Sequence, residues 1–308
     1  MAQESTIRPG PVVAPLAAAG SARHSRSIWT DTVIRLVRTK PLGLTGGIII
    51  LALIVMAVLA PVLARYPPAE IHPKFKLLGP SGTWWLGTDN LGRDTYSRII
   101  YGARVSLKVG FLAVLFSIVL ATAIGVASGY FGGVVDTVTQ RLVDAMIAFP
   151  GLVLILLIVA IWGNTLNNVI LALAFFGIAG NSRIMRGATL SVRNQTYIEA
   201  ARSMGASDTR IIVLHIVPNV MATVITLATL GLGTVILAEA SLGFLGLGVP
   251  PPNPTWGNML SGQARQFMTQ APWLAIFPGV ILSLAIFGFN MLGDALRDLL
   301  DPRLRGGR

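Results

Sequence analysis

"TYIEAARSMGASDTRIIVLHIVPN", residues 196–219, is a polar, helix-forming stretch lying between two long apolar runs. Thr196 and Glu199 have the spacing of a capping box, in which a hydroxyl accepts from the amide three residues on while the carboxylate reaches back to the cap amide. That spacing predicts a helix starting at Thr196. Gly205 enters the left-handed backbone region without a side-chain clash, so the helix is expected to end there. Ser207 or Asp208 is placed to start a second helix through "TRIIVLHIV", until Pro218 interrupts the backbone ladder at the entry to the next apolar run. The expected object is a short helix presenting Tyr197, Ala200, Ala201 and Met204, then a fixed turn and a second helix. Two readings fit it: a lever that passes a displacement into the following run, or an ordinary amphipathic loop in which Glu199 only caps.

Composition says what lies on either side. Of the 308 residues 53% are hydrophobic and 12% charged, and the mean hydropathy is +0.70; soluble domains carry about 25% charge, so the solvent expected here is a bilayer. The net charge of +11 is scattered between apolar runs and is not gathered with aromatics on one face, which argues against nucleic acid. With no cysteine there is no disulfide framework, thiolate metal site or cysteine nucleophile. No lysine follows a glycine, so the phosphate-cradling GxxxxGK[ST] loop is absent. His24, His72 and His215 stand far apart without an HExxH pattern, and no metal site is expected. "GFLGLG", residues 243–248, follows an apolar helix and not a strand, so close packing explains it better than a dinucleotide. An intramembrane enzyme would need a convergent nucleophile, base and oxyanion site. A secondary transporter would need paired broken helices around midplane ionisable groups, of which Pro150 and Glu239 alone supply little.

About six runs are long enough to cross a hydrocarbon core of about 30 Å. They lie near Leu42–Ala64, Leu107–Ala127, Leu142–Trp162 (which contains Pro150), Leu166–Ala179 (the shortest), Val220–Leu247 and Trp273–Leu292. Backbone groups in lipid must be bonded internally, so these are helices, and the fold class is an all-α integral membrane protein. The first run is too deep in the chain and too long for a cleaved signal peptide. With both termini inside, sixteen of the 24 lysines and arginines fall in inner segments, which places residues 196–219 in the cytosol. Residues 1–26, rich in alanine, proline and serine, read as a disordered tail. Residues 27–41 read as an amphipathic helix on the inner membrane face or a plain basic flank. The membrane domain covers 42–296, with the polar loop at about 194–218, and 297–308 form a cytosolic tail.

Three ionisable groups fall within or beside the runs. Glu239 lies inside an apolar run, where an acidic group costs about 2.5–3.5 kcal/mol on insertion scales. It either faces a substrate path or gate, or is held structurally near the outer interface. Asp144 and Asp294, near inner ends, read as interfacial. In "GTDNLGRD", residues 87–94, Thr88 or Asp89 is able to cap a helix, and Asp89 and Arg93 have i to i+4 spacing. Asp89, Arg93, Asp94 and, from "VPPPNPTWGNML", Trp256 either order an outer elbow or form a landing surface for an external protein.

"EAARSMGASDTRIIVLHIVP" resembles the cytoplasmic EAA loop of ABC importer permeases, with Glu199, Ala200, Ala201, Gly205 and Pro218 in their places. His215 and Val217 depart from that pattern, which has isoleucine and leucine there. "WWLGTDNLGRDTYSRIIYGARVSLKVG" (84–110) and "LAEASLGFLGLGVPPPNPTWGNML" (237–260) resemble signatures of the second permease subunit of dipeptide and oligopeptide importers. The resemblance spans residues 30–305 and implies a type I importer permease fold in a bacterial cytoplasmic (inner) membrane. It implies that Glu199, Ala200, Ala201 and Gly205 contact a cytosolic ATPase, with Thr196, Tyr197 and Ala206 flanking and Pro218 at the entry to a transmission helix. The implied partners are a second homologous permease chain, two cytosolic ATPase subunits or domains and an extracytoplasmic substrate-binding protein. No cofactor is expected in this chain, and ATP and Mg belong to the ATPases. The implied cargo is a di- or oligopeptide, with nickel or another small solute as the alternative.

Overall fold

The computed structural model describes residues 39–300. The tail expected over residues 1–26, all but the last three residues of the interfacial helix expected over 27–41, and residues 301–308 lie outside the described residues.

Helix α1, Pro41–Val58, begins with a proline whose missing N–H costs nothing in a first turn, and a short turn, Ala60–Leu63, extends it. Residues 65–94 form an outer segment without a long helix, folded around the rings of Tyr66, His72, Phe75 and Trp84. Helix α2, Thr95–Phe131, starts where the Asp94 carboxylate accepts from the Ser97 amide at 2.9 Å and ends at Gly132, whose φ of 67° a side chain would resist. At 37 residues it is about 55 Å long, so it projects beyond a core of about 30 Å. Then come α3, Gly133–Ala148; α4, Gly151–Trp162; α5, Leu166–Arg193; α6, Thr196–Ser203; α7, Asp208–Phe244; and α8, Trp273–Leu300.

The all-helical architecture agrees with the sequence reading, but individual runs differ. Among the described residues five helices are long and apolar enough to cross a membrane, and the expected third run is a pair, α3 and α4, bent by 91°. Pro150 is the cause, since it disfavours helical backbone at Phe149 and has no N–H to continue a ladder. The run expected to stop near Ala179 continues to Arg193, because Ser182, Met185 and Thr189 bury one face against α2, Arg193 donates to the Gly129 carbonyl of α2 at 3.3 Å, and Arg183 stays exposed. Helix α8 runs to Leu300, four residues into the expected tail.

Helix α2 is the centre of the bundle, packed along α5 and against α1 and α7. Its approach to α5 is set by Gly125 and Gly129, four residues apart on one face. A Cβ on Gly125 would sit 2.6 Å from the Ser182 carbonyl oxygen, and one on Gly129 would sit 2.9 Å from that of Arg186. No side chain fits there. Two polar ends result. At one, Lys40 donates to Asp298 at 2.6 Å, and Asp136 of α3 accepts from both Arg186 of α5 and Ser128 of α2. The excess of basic residues marks this end as cytosolic. The other end gathers residues 65–98 and 249–272.

Candidate functional site

The cytosolic segment forms two arms around one turn. Helix α6 closes in a Schellman motif: Ala206 N–H donates to Ala201 C=O at 3.1 Å, Gly205 N–H donates to Arg202 C=O at 3.0 Å, and Gly205 has φ 81°. Ser207 caps α7 by accepting from the Arg210 amide at 3.4 Å. The expected start differs. Thr196 is the first helical residue, not the cap; Gln195 occupies the cap position, and neither makes a side-chain cap bond. Glu199 is therefore freed from the reciprocal bond and is exposed.

Pro218 also acts differently from expectation. Helix α7 passes straight through it, and the five residues before it, Ile212–Ile216, adopt π-helical geometry. A wider turn moves the carbonyl that the proline ring would strike and leaves no N–H requirement unmet. The wide turn is continuous with the apolar run, so α7 is one rod from the cytosolic turn to the outer end.

Burial sorts the predicted contacts. Thr196, Tyr197, Glu199, Ala200 and Gly205 are exposed. Ala201 is 6% exposed and Ala206 half-buried; with Ile198 they pack on Val126, Tyr130, Met185, Ile211 and Ile216. Ala201 is thus an internal anchor and not a surface contact. The spacing of Ile198 and Ala201, three apart, carried this signal. Tyr130, at the cytosolic end of α2, had no such signal: its hydroxyl donates to Asp208 Oδ1 at 2.6 Å, and Arg202 Nη2 donates to that hydroxyl at 3.4 Å.

At the outer end the four expected docking residues are turned inward. The Asp89 carboxylate accepts from the amides of Leu91 and Arg93 at 2.9 Å and pairs with Arg93 Nε at 2.6 Å, with Arg98 Nε at 3.7 Å. Asp94, not Thr88 or Asp89, caps α2, while Thr88 accepts from the Leu78 amide at 2.9 Å. Trp256 is fully buried and donates from Nε1 to the Ile99 carbonyl at 3.1 Å. Buried carboxylates and a buried ring are frame, because desolvated charge must be bonded inside. A landing surface made of these side chains is not what the chain presents.

Glu239 is fully buried where α7 meets α2, with Oε2 accepting from Ser106 Oγ at 3.3 Å. Ser106 Oγ in turn accepts from the Trp256 amide at 3.3 Å. Its Oε1 is buried without a partner. One open space in the bundle, which Glu239 does not line, is a cleft of about 550 Å³ whose lining includes Ser117, Phe149, Phe176, Asn181, Leu227 and Thr234. Its lining is largely apolar and carries no charged side chain, and Ser117 Oγ has no partner. Such a wall suits an uncharged polar chain and repels none by charge.

The model of a family described as the binding-protein-dependent transport system inner membrane component matches residues 99–306, and that of the N-terminal TM domain of oligopeptide transport permease C matches residues 27–80. The chain is 45% identical over 279 residues to the dipeptide transport system permease protein DppC of Alkalihalophilus pseudofirmus, covering 91% of both chains. It is 42% identical over 282 residues to the glutathione transport system permease protein GsiD of Pectobacterium atrosepticum, covering 91% of this chain and 93% of that one. Among solved structures it is similar to a chain of the MetNI methionine ABC transporter in inward-facing conformations. The TM-score is 0.54 at 18% identity, over 66% of this chain and 96% of that chain, a likeness of fold.

Proposed function

The chain belongs to the family of binding-protein-dependent transport system inner membrane components, and from that premise we propose that it is one half of the pore of an ATP-driven importer of short peptides. It is a multi-pass membrane permease subunit. A second homologous permease supplies the other half, an extracytoplasmic binding protein delivers the peptide, and two cytosolic ATPases bind and hydrolyse ATP with Mg. This chain itself carries no cofactor. The observation that supports the cargo is the 45% identity, across nearly the whole chain, to a permease named for dipeptide transport. The second relative is named for glutathione, itself a tripeptide.

The mechanism follows from the rod and the turn. An ATPase seated on the exposed face of α6, through Tyr197, Glu199 and Ala200, moves α6 as a rigid body. The Schellman turn at Gly205 passes that movement to α7. Helix α7 also forms one wall of the cleft, through Leu227, Leu230 and Thr234, so its tilt changes the width of the path. Asn181, in the lining of the cleft, offers hydrogen bonds to peptide amides in transit, and the absence of charge spares the cargo a deep well.

Reconstitution tests this. Proteoliposomes holding the chain, its permease partner, the ATPases and the binding protein should accumulate a dipeptide only with ATP. Because the chain has no cysteine, Asn181→Cys gives a single label site. Its reaction with a methanethiosulfonate reagent should slow when peptide-loaded binding protein and ATP are present. An importer that ignores peptides, or a label rate indifferent to them, sinks the cargo and path assignments respectively.

A further inference from the structure

Tyr130 stands between the two arms of the cytosolic segment. It lies on α2, 66 residues before Thr196, yet its hydroxyl is bonded to one residue from each arm. Arg202, in α6, donates to the phenol oxygen at 3.4 Å and places its guanidinium 5.8 Å from the ring centroid. Asp208, the first residue of α7, accepts the phenolic proton at 2.6 Å. The ring is 3% exposed and packs with Val126, Ile198, Ala201 and Ile211. Gly205 lies between the two bonded residues, and a Cβ there would meet nothing within 4 Å. The turn itself is therefore unsupported by neighbours on its own side.

We infer that Tyr130 is a positioning residue that fixes the angle between α6 and α7 and ties both to α2, so that a displacement of α6 reaches α2 as well as α7. The inference rests on the coupling role proposed for α6. Glycine at a turn permits an angle but does not hold it. A charge-assisted bond from the phenol to Asp208, together with the Arg202 contact, holds it from outside the turn. Helix α2 lines the cleft with Val114 and Ser117 and α7 lines it with Leu227 and Thr234, the two helices packing together beside it where a Cβ on Gly231 would sit 3.6 Å from Val114. Through Tyr130 one input moves both walls. Beside it, Ser128 on the same helix is bonded to Asp136, which also holds Arg186 of α5. The cytosolic ends of α2, α3 and α5 thus form one body to which the lever is pinned.

The test uses the reconstituted complex and reads peptide accumulated per ATP hydrolysed. Tyr130→Phe keeps the ring and its packing but removes its bonds to both Asp208 and Arg202. It should assemble normally and lower that ratio about tenfold, the scale of one charge-assisted hydrogen bond. Asp208→Ala, which breaks one of those two bonds, should lower the ratio by less, and the double variant should be no worse than Tyr130→Phe, which already lacks both. Asp208→Asn, which still accepts from the phenol, should restore most of the ratio. Amide exchange across residues 196–208 should quicken in Tyr130→Phe and not in Asp208→Asn. Glu199→Arg serves as the independent control for the coupling role. If it abolishes ATPase association while Tyr130→Phe keeps a wild-type ratio, the clamp is overturned and the coupling role stands. If Glu199→Arg leaves association and uptake intact, the coupling role fails and the clamp with it.

Discussion

The two polar ends of the molecule use similar residues in opposite ways. At the outer end, Asp89, Asp94, Arg98 and Trp256 are each less than a tenth exposed, and their polar atoms are consumed inside the chain. At the cytosolic end, Tyr197, Glu199 and Met204 face outward, and the segment is anchored from beneath by Ile198, Ala201, Ile211 and Tyr130. Both regions carry a motif strong enough to identify a family, yet one motif specifies a frame and the other leaves a surface. A polar side chain that must satisfy its own chain's desolvated groups is not available to a partner. One left exposed at no internal cost is.

This contrast is open to breaking, beginning with the largest expected effect on stability. Trp256→Ala removes a fully buried ring packed on Gly102 and Ile99. It should cost about 3–5 kcal/mol, read as a large fall in detergent melting temperature. Asp89→Ala leaves the Arg93 and Arg98 guanidinium groups and two amides without their shared acceptor. A loss of about 3 kcal/mol is expected by the same measurement. If either variant melts like wild type while losing the affinity for a binding protein, the outer end is a docking surface after all.

The cytosolic side should show the reverse. Glu199→Arg is expected to shift stability by no more than about 0.5 kcal/mol, since it replaces an exposed side chain. Copurification of the ATPases and peptide uptake should nonetheless fall below detection. Thr196→Ala should do almost nothing in either assay. A true cap would cost about 1 kcal/mol on replacement by alanine, and Thr196 is not the cap. A cost of that size for Thr196 would reinstate the capping box.

Much of this was legible in the chain. The presence of the apolar runs and the left-handed Gly205 are local or compositional, and local physics reads them well. Other features were not legible because their causes are distant. Whether α5 stops at Ala179 or runs to Arg193 depends on Gly125 and Gly129 of α2, which receive its polar half closely. Asp89 and Arg93 were correctly paired, but as part of a turn that also serves Arg98, not on a helix.

The sequence by itself determined the solvent and the helical class, and it marked residues 196–219 as a polar two-helix segment turning at Gly205, because each follows from residue type and spacing along one stretch. Tertiary structure alone decided which polar groups face inward. It also let α7 pass through Pro218 as a π-helical rod, and it brought Tyr130 between Arg202 and Asp208. Those outcomes are set by desolvation and by contacts between residues tens of positions apart, and no local pattern records them.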